Sequence, residues 1–347
     1  MSVEVRIYNP DLELQGIIDE FSSLVWIRRY QEAGEFELHT PYSDESRRLL
    51  MPENIVQRFD GMPAVDAGVI ESLSMTSDEI IVKGRFLESY LARRIVLTKI
   101  KPNNDYAEDV IRSLLADDLF SEIPLLELGP RHGWTERITF QASYKNVHNT
   151  YHKICKATGL GFRIYPDFET RKLYLEVLKG ADKVNGSGSK VIFSETYDNL
   201  MNEEYTYDST NYKTEILAMQ IINNVKYRTW VGTVVGLNKR DMVIQTSIDP
   251  ADLTDDEIHA MMALQCERAL ESHIIAESFT FSTDADAPFR YRTDYDLGDL
   301  VLVKKNAWGI ELQARLTEIE EDYENGGREV ILRCGSPLPE VMDFEED

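Results

Sequence analysis

Two histidines spaced four residues apart form the most obvious metal-site pattern in the sequence. His148 and His152 lie in a predicted helix, where this spacing places both imidazoles on one face. A zinc site needs further ligands, and His148 is followed by Asn149 rather than by the glutamate of the metalloprotease motif. We therefore predict a solvated helix face that holds no metal.

Acidic residues in the C-terminal part form a second candidate site. The cluster consists of Asp284, Asp286, Asp294, Asp296 and Asp299. Carboxylates are suitable ligands for Ca²⁺, but the cluster lacks the regular spacing and the bidentate glutamate of a helix–loop–helix calcium site. We predict an exposed loop.

Patterns for covalent catalysis and nucleotide binding are weak. Ser187 lies between two glycines but lacks the strand–turn–helix context of a nucleophile elbow. Gly159-Leu160-Gly161 has no third glycine, and Cys155 lies on the apolar face of a predicted helix, where an inert thiol is expected. With 61 acidic residues, neighbouring carboxylates do not indicate a glycosidase pair. The sequence thus predicts no enzyme, no catalytic residues, no metal ligands and no cofactor.

The N-terminal part is typical of antiparallel β structure. Apolar and polar residues alternate over 3–7, 35–39 and 69–75, and turn sequences separate these segments. Phe36 and Leu38 are predicted to face the core, and Gly34 is expected to adopt a positive φ at a hairpin. We assign residues 1–99 to a first tube-like β-barrel domain.

A small α/β domain is predicted over residues 100–190. Helical spacing of apolar residues indicates helices over 106–120 and 145–158, and Gly159 is placed to end the second helix in the left-handed conformation. A hairpin over 162–177 follows.

Residues 191–347 are assigned to a second tube-like β domain. One helix near 252–272 interrupts it, because Thr254 and Glu257 have the spacing of a capping box. An acidic tail starts at Glu340. The fold class is therefore mainly β with an α+β insertion: two tube-like antiparallel β-barrel modules plus a small α/β domain.

An internal repeat connects the two β domains. The segments 55–56, 69–73 and 80–84 can be aligned with 300–301, 316–319 and 330–335. The spacing from Val56 to Ile70 is 14 residues and that from Val301 to Leu316 is 15, and both series end in a basic residue shortly before a glycine. We infer two similar β modules in one chain.

Composition restricts the class of protein. The chain has three cysteines without short spacings, no signal-peptide pattern at its start and no apolar run long enough to span a membrane. We expect folding in a reducing cytoplasm. The net charge of −24 argues against specific binding of nucleic acid, which requires a basic surface. The negative charge suits either general solubility or the acidic lining of a passage through which DNA slides.

Two separated groups of motifs resemble one known family. Near the start stand Arg29–Leu38 with Pro41, then Gly84-Arg85-Phe86-Leu87 and Leu91–Ile95. Near the end stand Asp294–Val301 and Thr317–Glu324. Together they resemble the tail-hub (baseplate-hub or tail-tip) proteins of long-tailed phages and prophages, and the resemblance spans most of the chain.

The resemblance implies a virion structural protein at the tail tip, assembled in the host cytoplasm. Three copies would form a homotrimeric ring of six similar modules, which joins the six-fold tail tube to a three-fold tip or fibre around the DNA exit channel. Implied partners are the distal tail protein, the tape measure protein and tip or fibre proteins, while genomic DNA passes through without specific binding. Because the chain stops soon after Gly335-Ser336-Pro337, we expect no lytic extension.

Other interpretations remain open from the sequence. A β-rich receptor- or glycan-binding tail protein would need an exposed aromatic platform, for which Trp134, Tyr144 and Tyr151 are the candidates. An enzyme acting on the cell wall lacks a defensible set of residues. Arg93 and Arg94 end an apolar segment, and they suit either a contact between subunits or domains or an ordinary surface ion pair.

Overall fold

The computed structural model describes residues 3–61, 66–140, 142, 144–186, 188–250, 253–283, 287–324 and 327–335. The fold is mainly β, as predicted. The chain divides into two compact units, Met1–Glu204 with Phe279–Gly335, and Tyr205–Ser278. The division into three domains at residues 99/100 and 190/191 stays a prediction. Among the described helices, none has the length and apolarity needed to cross a membrane.

In its described residues, the first β module contains seven strands and two short helices. They are β1 (Glu4–Tyr8), β2 (Leu14–Ile18), β3 (Ser23–Arg29), β4 (Glu35–Pro41), α1 (Asp44–Leu49), β5 (Ile55–Phe59), β6 (Gly68–Met75), β7 (Glu79–Phe86) and α2 (Ser89–Ala92). Buried and partly exposed residues alternate in β3 and β4, because successive side chains of a strand point to opposite faces. Phe36 and Leu38 are buried, which confirms the predicted core face.

The following segment combines small sheets with two helices. It comprises β8 (Asp105–Tyr106), α3 (Ala107–Ala116), β9 (Leu126–Leu128), β10 (Arg137–Ile138), α4 (Val147–Thr158), β11 (Gly161–Asp167) and β12 (Lys172–Leu178). Gly159 ends α4 with a φ of 71°, which confirms the predicted left-handed cap. The helices pack with Phe162, Ile164 and Leu175 of the β11–β12 hairpin in one core.

The chain then forms β13 (Ile192–Ser194) and β14 (Met201–Asp208), which leads into the second unit. That unit contains β15 (Glu215–Ile222), β16 (Val225–Val231), β17 (Asp241–Gln245) and α5 (Asp255–Ser272). Thr254 and Glu257 cap α5 reciprocally, as predicted. One face of the three-stranded sheet packs against Ile258, Met262 and Cys266 of α5.

Four further strands complete the second β module: β18 (Ala276–Thr283), β19 (Leu300–Lys305), β20 (Ile310–Glu324) and β21 (Gly327–Gly335). Both β modules belong to one 13-stranded sheet. Its main order is β14-β18-β21-β20-β3-β4-β7-β6-β5-β1-β2, with β19 paired to β20 and β13 to β19. No pattern in the sequence indicated that the two modules share a sheet through β3 and β20.

Candidate functional site: the joint between the β modules

Five strands follow the same order in both β modules. The order is β3-β4-β7-β6-β5 in the first module and β14-β18-β21-β20-β19 in the second. Val56 pairs with Gly68, and in the second module Val301 pairs with Ala314. Shortly afterwards each central strand has a register shift, between Ile70 and Ser72 in β6 and between Leu316 and Glu318 in β20. The aligned segments of the sequence repeat therefore share strand order, register and bulge position.

The modules differ at their outer strands. β1 pairs antiparallel with β5, whereas β13 pairs parallel with β19. The hairpin between β3 and β4 is short, but the equivalent connection between β14 and β18 contains most of the second unit. The second module is thus a related but modified copy of the first.

The joint itself is an antiparallel pairing of β3 with the C-terminal half of β20. It extends from Arg29 opposite Glu318 to Ser23 opposite Glu324. Arg29 binds Glu318 at 2.8 Å and Glu35 at 2.7 Å, while Arg333 binds Glu318 at 3.0 Å. Since charge-assisted hydrogen bonds are strong and directional, this row of ion pairs across four strands fixes the register of the joint.

A buried ionic network lies beneath the joint. Arg28 binds Asp66 at 2.9 Å and Asp296 at 2.7 Å, and it donates a hydrogen bond to the hydroxyl of Tyr291 at 2.7 Å. Arg58 binds Glu321 at 2.6 Å. Burial alone would raise the pKa of Glu321, but Arg58 and the other nearby arginines hold it below its ordinary value. Removing one member would leave a buried charge without its partner, which is strongly destabilising.

Tyr30 follows β3 and connects three parts of the first unit. Its hydroxyl lies within hydrogen-bond distance of the carbonyl oxygens of Gly159 (3.3 Å) and Leu178 (3.2 Å), which share its single proton, and accepts from the backbone N–H of Gly180 at 3.1 Å. Its ring lies against Gly298, in the loop before β19. The two groups of motifs in the sequence, around Arg29 and around Gly298, therefore meet in space.

The face of the sheet opposite the core is rich in acidic side chains at the joint. We call this surface the acidic face, formed by Glu35, Glu37, Glu318, Glu320, Asp322, Glu324 and Glu329. Lys83, Arg29 and Arg333 pair with three of these carboxylates. The other four, Glu320, Asp322, Glu324 and Glu329, form no ion pair among the described residues.

Crowding of these carboxylates changes their protonation. Burial, together with the negative charges of Asp322 and Glu318, raises the pKa of Glu320 to about 7. The pKa of Asp322 is raised as well, first by burial and then by Glu329, which lies directly opposite in β21. Like charges in facing positions destabilise a sheet, so the acidic face does not serve the stability of the isolated chain.

The histidine pair is not a solvated face, so that prediction is wrong. His152 is buried, and its Nδ1 lies 3.0 Å from the carbonyl oxygen of Gln31. Nε2 of His148 accepts a hydrogen bond from the N–H of Ala33 at 3.1 Å. Burial, followed by the neighbouring His152, lowers the pKa of His148 to about 4. The pair attaches α4 to the β3–β4 hairpin.

The acidic loop residues also have local roles. Asp296 belongs to the buried network, Asp299 accepts from the N–H of Ala181 at 2.7 Å, and Asp294 accepts from the N–H of Arg290 at 2.8 Å. Asp284, Asp286 and Ser187 lie outside the described residues. Within the described ranges, no group of His, Cys, Asp or Glu has an arrangement suited to a metal ion.

Other residues singled out in the sequence have mixed outcomes. Gly34 does not have a positive φ, so the stated reason for it was wrong. It is required for close approach instead, because a β-carbon there would stand 2.4 Å from the carbonyl oxygen of Ile27. Cys155 is buried, as expected, and burial raises the pKa of its thiol. Arg93 pairs with Glu53 and Glu71, and Arg94 donates to the carbonyl oxygen of Glu122.

The three candidate aromatic residues do not form a common platform. Tyr151 is fully buried and donates to the carbonyl oxygen of Ile111. The indole N–H of Trp134 donates to the carbonyl oxygen of Val177, and Tyr144 is exposed. A glycan could stack only on the exposed part of this set.

Comparison with known proteins shows the family of this chain. The profile of the siphovirus ReqiPepy6 Gp37-like protein family matches residues 4–336, nearly the whole chain. The chain belongs to this family. It is a structural protein of the phage tail and hence a component of the virion. No curated protein sequence matches the chain.

Solved structures of tail proteins share the fold of this family member. A tail protein from Neisseria meningitidis MC58 is 15% identical, with a TM-score of 0.60 over 97% of each chain. The 43 kDa tail protein of prophage MuSo2 from Shewanella oneidensis is 12% identical, with a TM-score of 0.60 over 95% of this chain and 98% of that one. Prophage tail protein gp18 from Listeria monocytogenes EGD-e is 13% identical, with a TM-score of 0.52 over 95% and 94%.

Proposed function

We propose that this tail protein is the hub at the tail tip, where three copies form a ring of six similar β modules. The observation that carries the proposal is the joint of β3 with β20. β3 pairs with β20 within one chain, and each module has the same five-strand order, which supports a ring in which every module attaches to the next in this way.

In the part of the chain that the structure describes, the joined pair of modules has one unpaired strand edge at each end, and these two edges correspond to the two strands that form the internal joint. In the repeat, β6 corresponds to β20 and β14 corresponds to β3. β5 and the segment before it cover β6 only as far as Ile70, so the edge from Glu71 to Met75 is free among the described residues. β14 is the last strand at its end of the sheet. Pairing β6 of one copy with β14 of the next would repeat the internal joint.

Such a contact uses two different surfaces on each copy. Heterologous contacts of this kind close into a ring when the rotation between copies is right, and otherwise produce open filaments. Two modules per chain and three chains give six positions, which suits a six-fold tube on one side and a three-fold tip or fibre on the other. The distal tail protein, the tape measure protein and tip or fibre proteins are the neighbours this hub would contact.

The acidic face lines the DNA exit channel in this proposal. Four of its carboxylates have no cation partner among the described residues, and their crowding costs stability. A surface that repels the phosphate backbone lets DNA slide without binding. The protein acts as a structural part with no cofactor and no wall-cleaving activity, built from the three domains predicted over 1–99, 100–190 and 191–347 and assembled in the host cytoplasm.

Disulfide cross-linking tests the ring. Cysteines replace Ser74 in β6 and either Asn202 or Glu204 in β14, while the natural cysteines are buried and do not compete. Facing residues of neighbouring strands have the Cα separation that a disulfide needs. Mild oxidation should produce a covalent trimer on a denaturing gel.

The matched control combines Ser74→Cys with Asp117→Cys, an exposed position at the end of α3. It should remain uncross-linked. Monomers from both β6–β14 pairs, or cross-linked chains longer than three, would contradict the proposed ring.

A further inference from the structure

The second unit exposes an apolar sheet face that nothing in the described structure covers. The strands lie in the order β16-β15-β17, and Leu217 is flanked in register by Trp230 and Val243. Trp230 and Val243 are each 54% exposed, and Ile221 is 70% exposed. Their side of the sheet points away from α5, which covers Ile216 and Ala218 on the other side.

Cations lie on this same face. Lys226 and Arg228 alternate with Trp230 along β16, so all three side chains point to one side. Lys226 and Arg228 have no carboxylate partner among the described residues, whereas Lys239, which lies over the Trp230 ring on the same face, binds Glu215 at 3.0 Å and Asp241 at 3.5 Å. We call this surface, formed by Leu217, Ile221, Lys226, Arg228, Trp230 and Val243, the basic face.

The outer side of α5 has the opposite character. Met261 and Leu264 are each 42% exposed. Glu257 lies four residues before Met261 and Glu267 three residues after Leu264, so both fall on this side of the helix. Thr254 donates to the carboxylate of Glu257, and Arg268 follows Glu267 in the sequence. Glu267 has no cation partner among the described residues. We call the segment from Glu257 to Glu267 the acidic stripe.

The two surfaces match in size as well as in charge. Ten residues of helix extend over about 15 Å, and the four steps from Lys226 to Trp230 extend over about 13 Å. Each surface has an apolar centre, and the basic face supplies the charges that complement the acidic stripe.

We propose that the basic face of one copy binds the acidic stripe of α5 in a second copy of this chain. The inference rests on the proposed ring, to which it adds a second contact between neighbours. A second copy fits because a chain with a net charge of −24 repels its neighbours unless local cations meet local carboxylates. The two surfaces are on opposite sides of the unit, so the contact is heterologous and can continue from copy to copy until three have closed the ring.

Cysteine cross-linking tests the contact. Arg228→Cys labels the basic face and Leu264→Cys labels the acidic stripe, both at exposed positions where folding should be unaffected. A short flexible bis-maleimide should produce dimers when the two single variants are mixed and none when either is treated alone. The double variant should produce a covalent trimer.

Charge reversal supplies a second measurement. The charge-reversed variant carries Lys226→Glu and Arg228→Glu together with Trp230→Cys and Leu264→Cys for cross-linking. Its yield of cross-linked trimer should be at least tenfold lower than that of the chain with the two cysteines alone. Adding Glu267→Lys should restore part of it.

The outcomes separate this inference from the ring. Cross-links between β6 and β14 without cross-links between the two surfaces would overturn the inference and leave the ring intact. Cross-links between identical single variants, or ladders longer than a trimer, would also overturn it. If neither pair cross-links, the ring fails and this contact fails with it.

Discussion

The ring of Tyr30 lies against the α-carbon of Gly298, and a β-carbon added at Gly298 would stand 2.3 Å from Cε2 of Tyr30. This contact brings together two motifs that are far apart in the sequence. It also fixes the loop that carries Asp296 beside Arg28. The joint between the β modules therefore depends on a glycine that allows an aromatic ring to approach the backbone.

Replacing Gly298 by alanine should destabilise the protein by about 2–4 kcal/mol, because a clash with Tyr30 is added to the strain of a φ of 91°. Gly309→Ala is the matched control, since Gly309 has a φ of 67° and open space around it. The control should lose only about 1 kcal/mol. Equal losses in chemical denaturation would show that the contact with Tyr30 is unimportant.

The Phe36 side chain should be a large contributor to the first module's core. It is 2% exposed and packs against Trp26. Phe36→Ala should cost about 3–5 kcal/mol by leaving a cavity, whereas Tyr42→Ala at an exposed position should change the free energy of unfolding by less than about 0.5 kcal/mol. A similar small change for both variants would contradict the assigned core.

Local patterns in the sequence were sufficient for much of the fold. Alternation gave the face of β4, Gly159 gave the C-terminal end of α4, the capping box gave the start of α5, and the repeat aligned β5–β7 with β19–β21. These features depend on neighbouring residues, whose spacing is visible in the chain.

The pairing of β3 with β20 could not be predicted from a local pattern in the sequence. β3 and β20 are nearly 300 residues apart, and strand pairing at that distance leaves no local pattern. The same holds for Arg28 with Asp296, and for His148 and His152, whose burial comes from a hairpin more than 100 residues earlier. The motif resemblance included segments on both sides of the joint, but it did not include Arg28, His148 or His152.

The attachment of α4 to the β3–β4 hairpin should depend on pH. Because burial lowers the pKa of His148 to about 4, the unfolded chain binds a proton between pH 6.5 and pH 4 while the folded chain does not. Stability should therefore be full above pH 6.5 and fall as the pH drops towards 4, by up to about 3 kcal/mol.

His148→Gln keeps an acceptor for the N–H of Ala33 but cannot titrate. The difference in unfolding free energy between wild type and this variant should narrow or reverse in favour of the variant as the pH falls from 7 to 4. A difference that is constant with pH would show that His148 does not titrate as described.

The acidic face should cost stability above neutral pH. Since the pKa of Glu320 is raised to about 7, the folded chain holds its proton between pH 4.5 and 7 where the unfolded chain has lost it, and stability falls as the pH rises through this range. Glu320→Gln should add about 1 kcal/mol at pH 8, a value reduced for solvent screening, and nothing at pH 4. Glu20→Gln, at an exposed position before β3, should add nothing at either pH.

Reversing the charge of the acidic face should slow the ejection of DNA. Phage carrying Glu320→Lys, Asp322→Lys and Glu329→Lys should assemble normally but eject the genome more slowly, because a basic lining holds the phosphate backbone. The same number of lysines at Asp19, Glu20 and Asp117, which are exposed and off this face, should leave ejection unchanged. Equal ejection rates for both sets of variants would show that the acidic face does not line the channel.

A map of the assembled tail tip tests the central claim most directly. The proposed hub predicts three copies around the tail axis, with β6 of each copy adding to β14 of the next and the acidic face directed towards the channel. A single copy or six copies at the axis, or a ring in which the edge from Glu71 to Met75 stays unpaired, would contradict it.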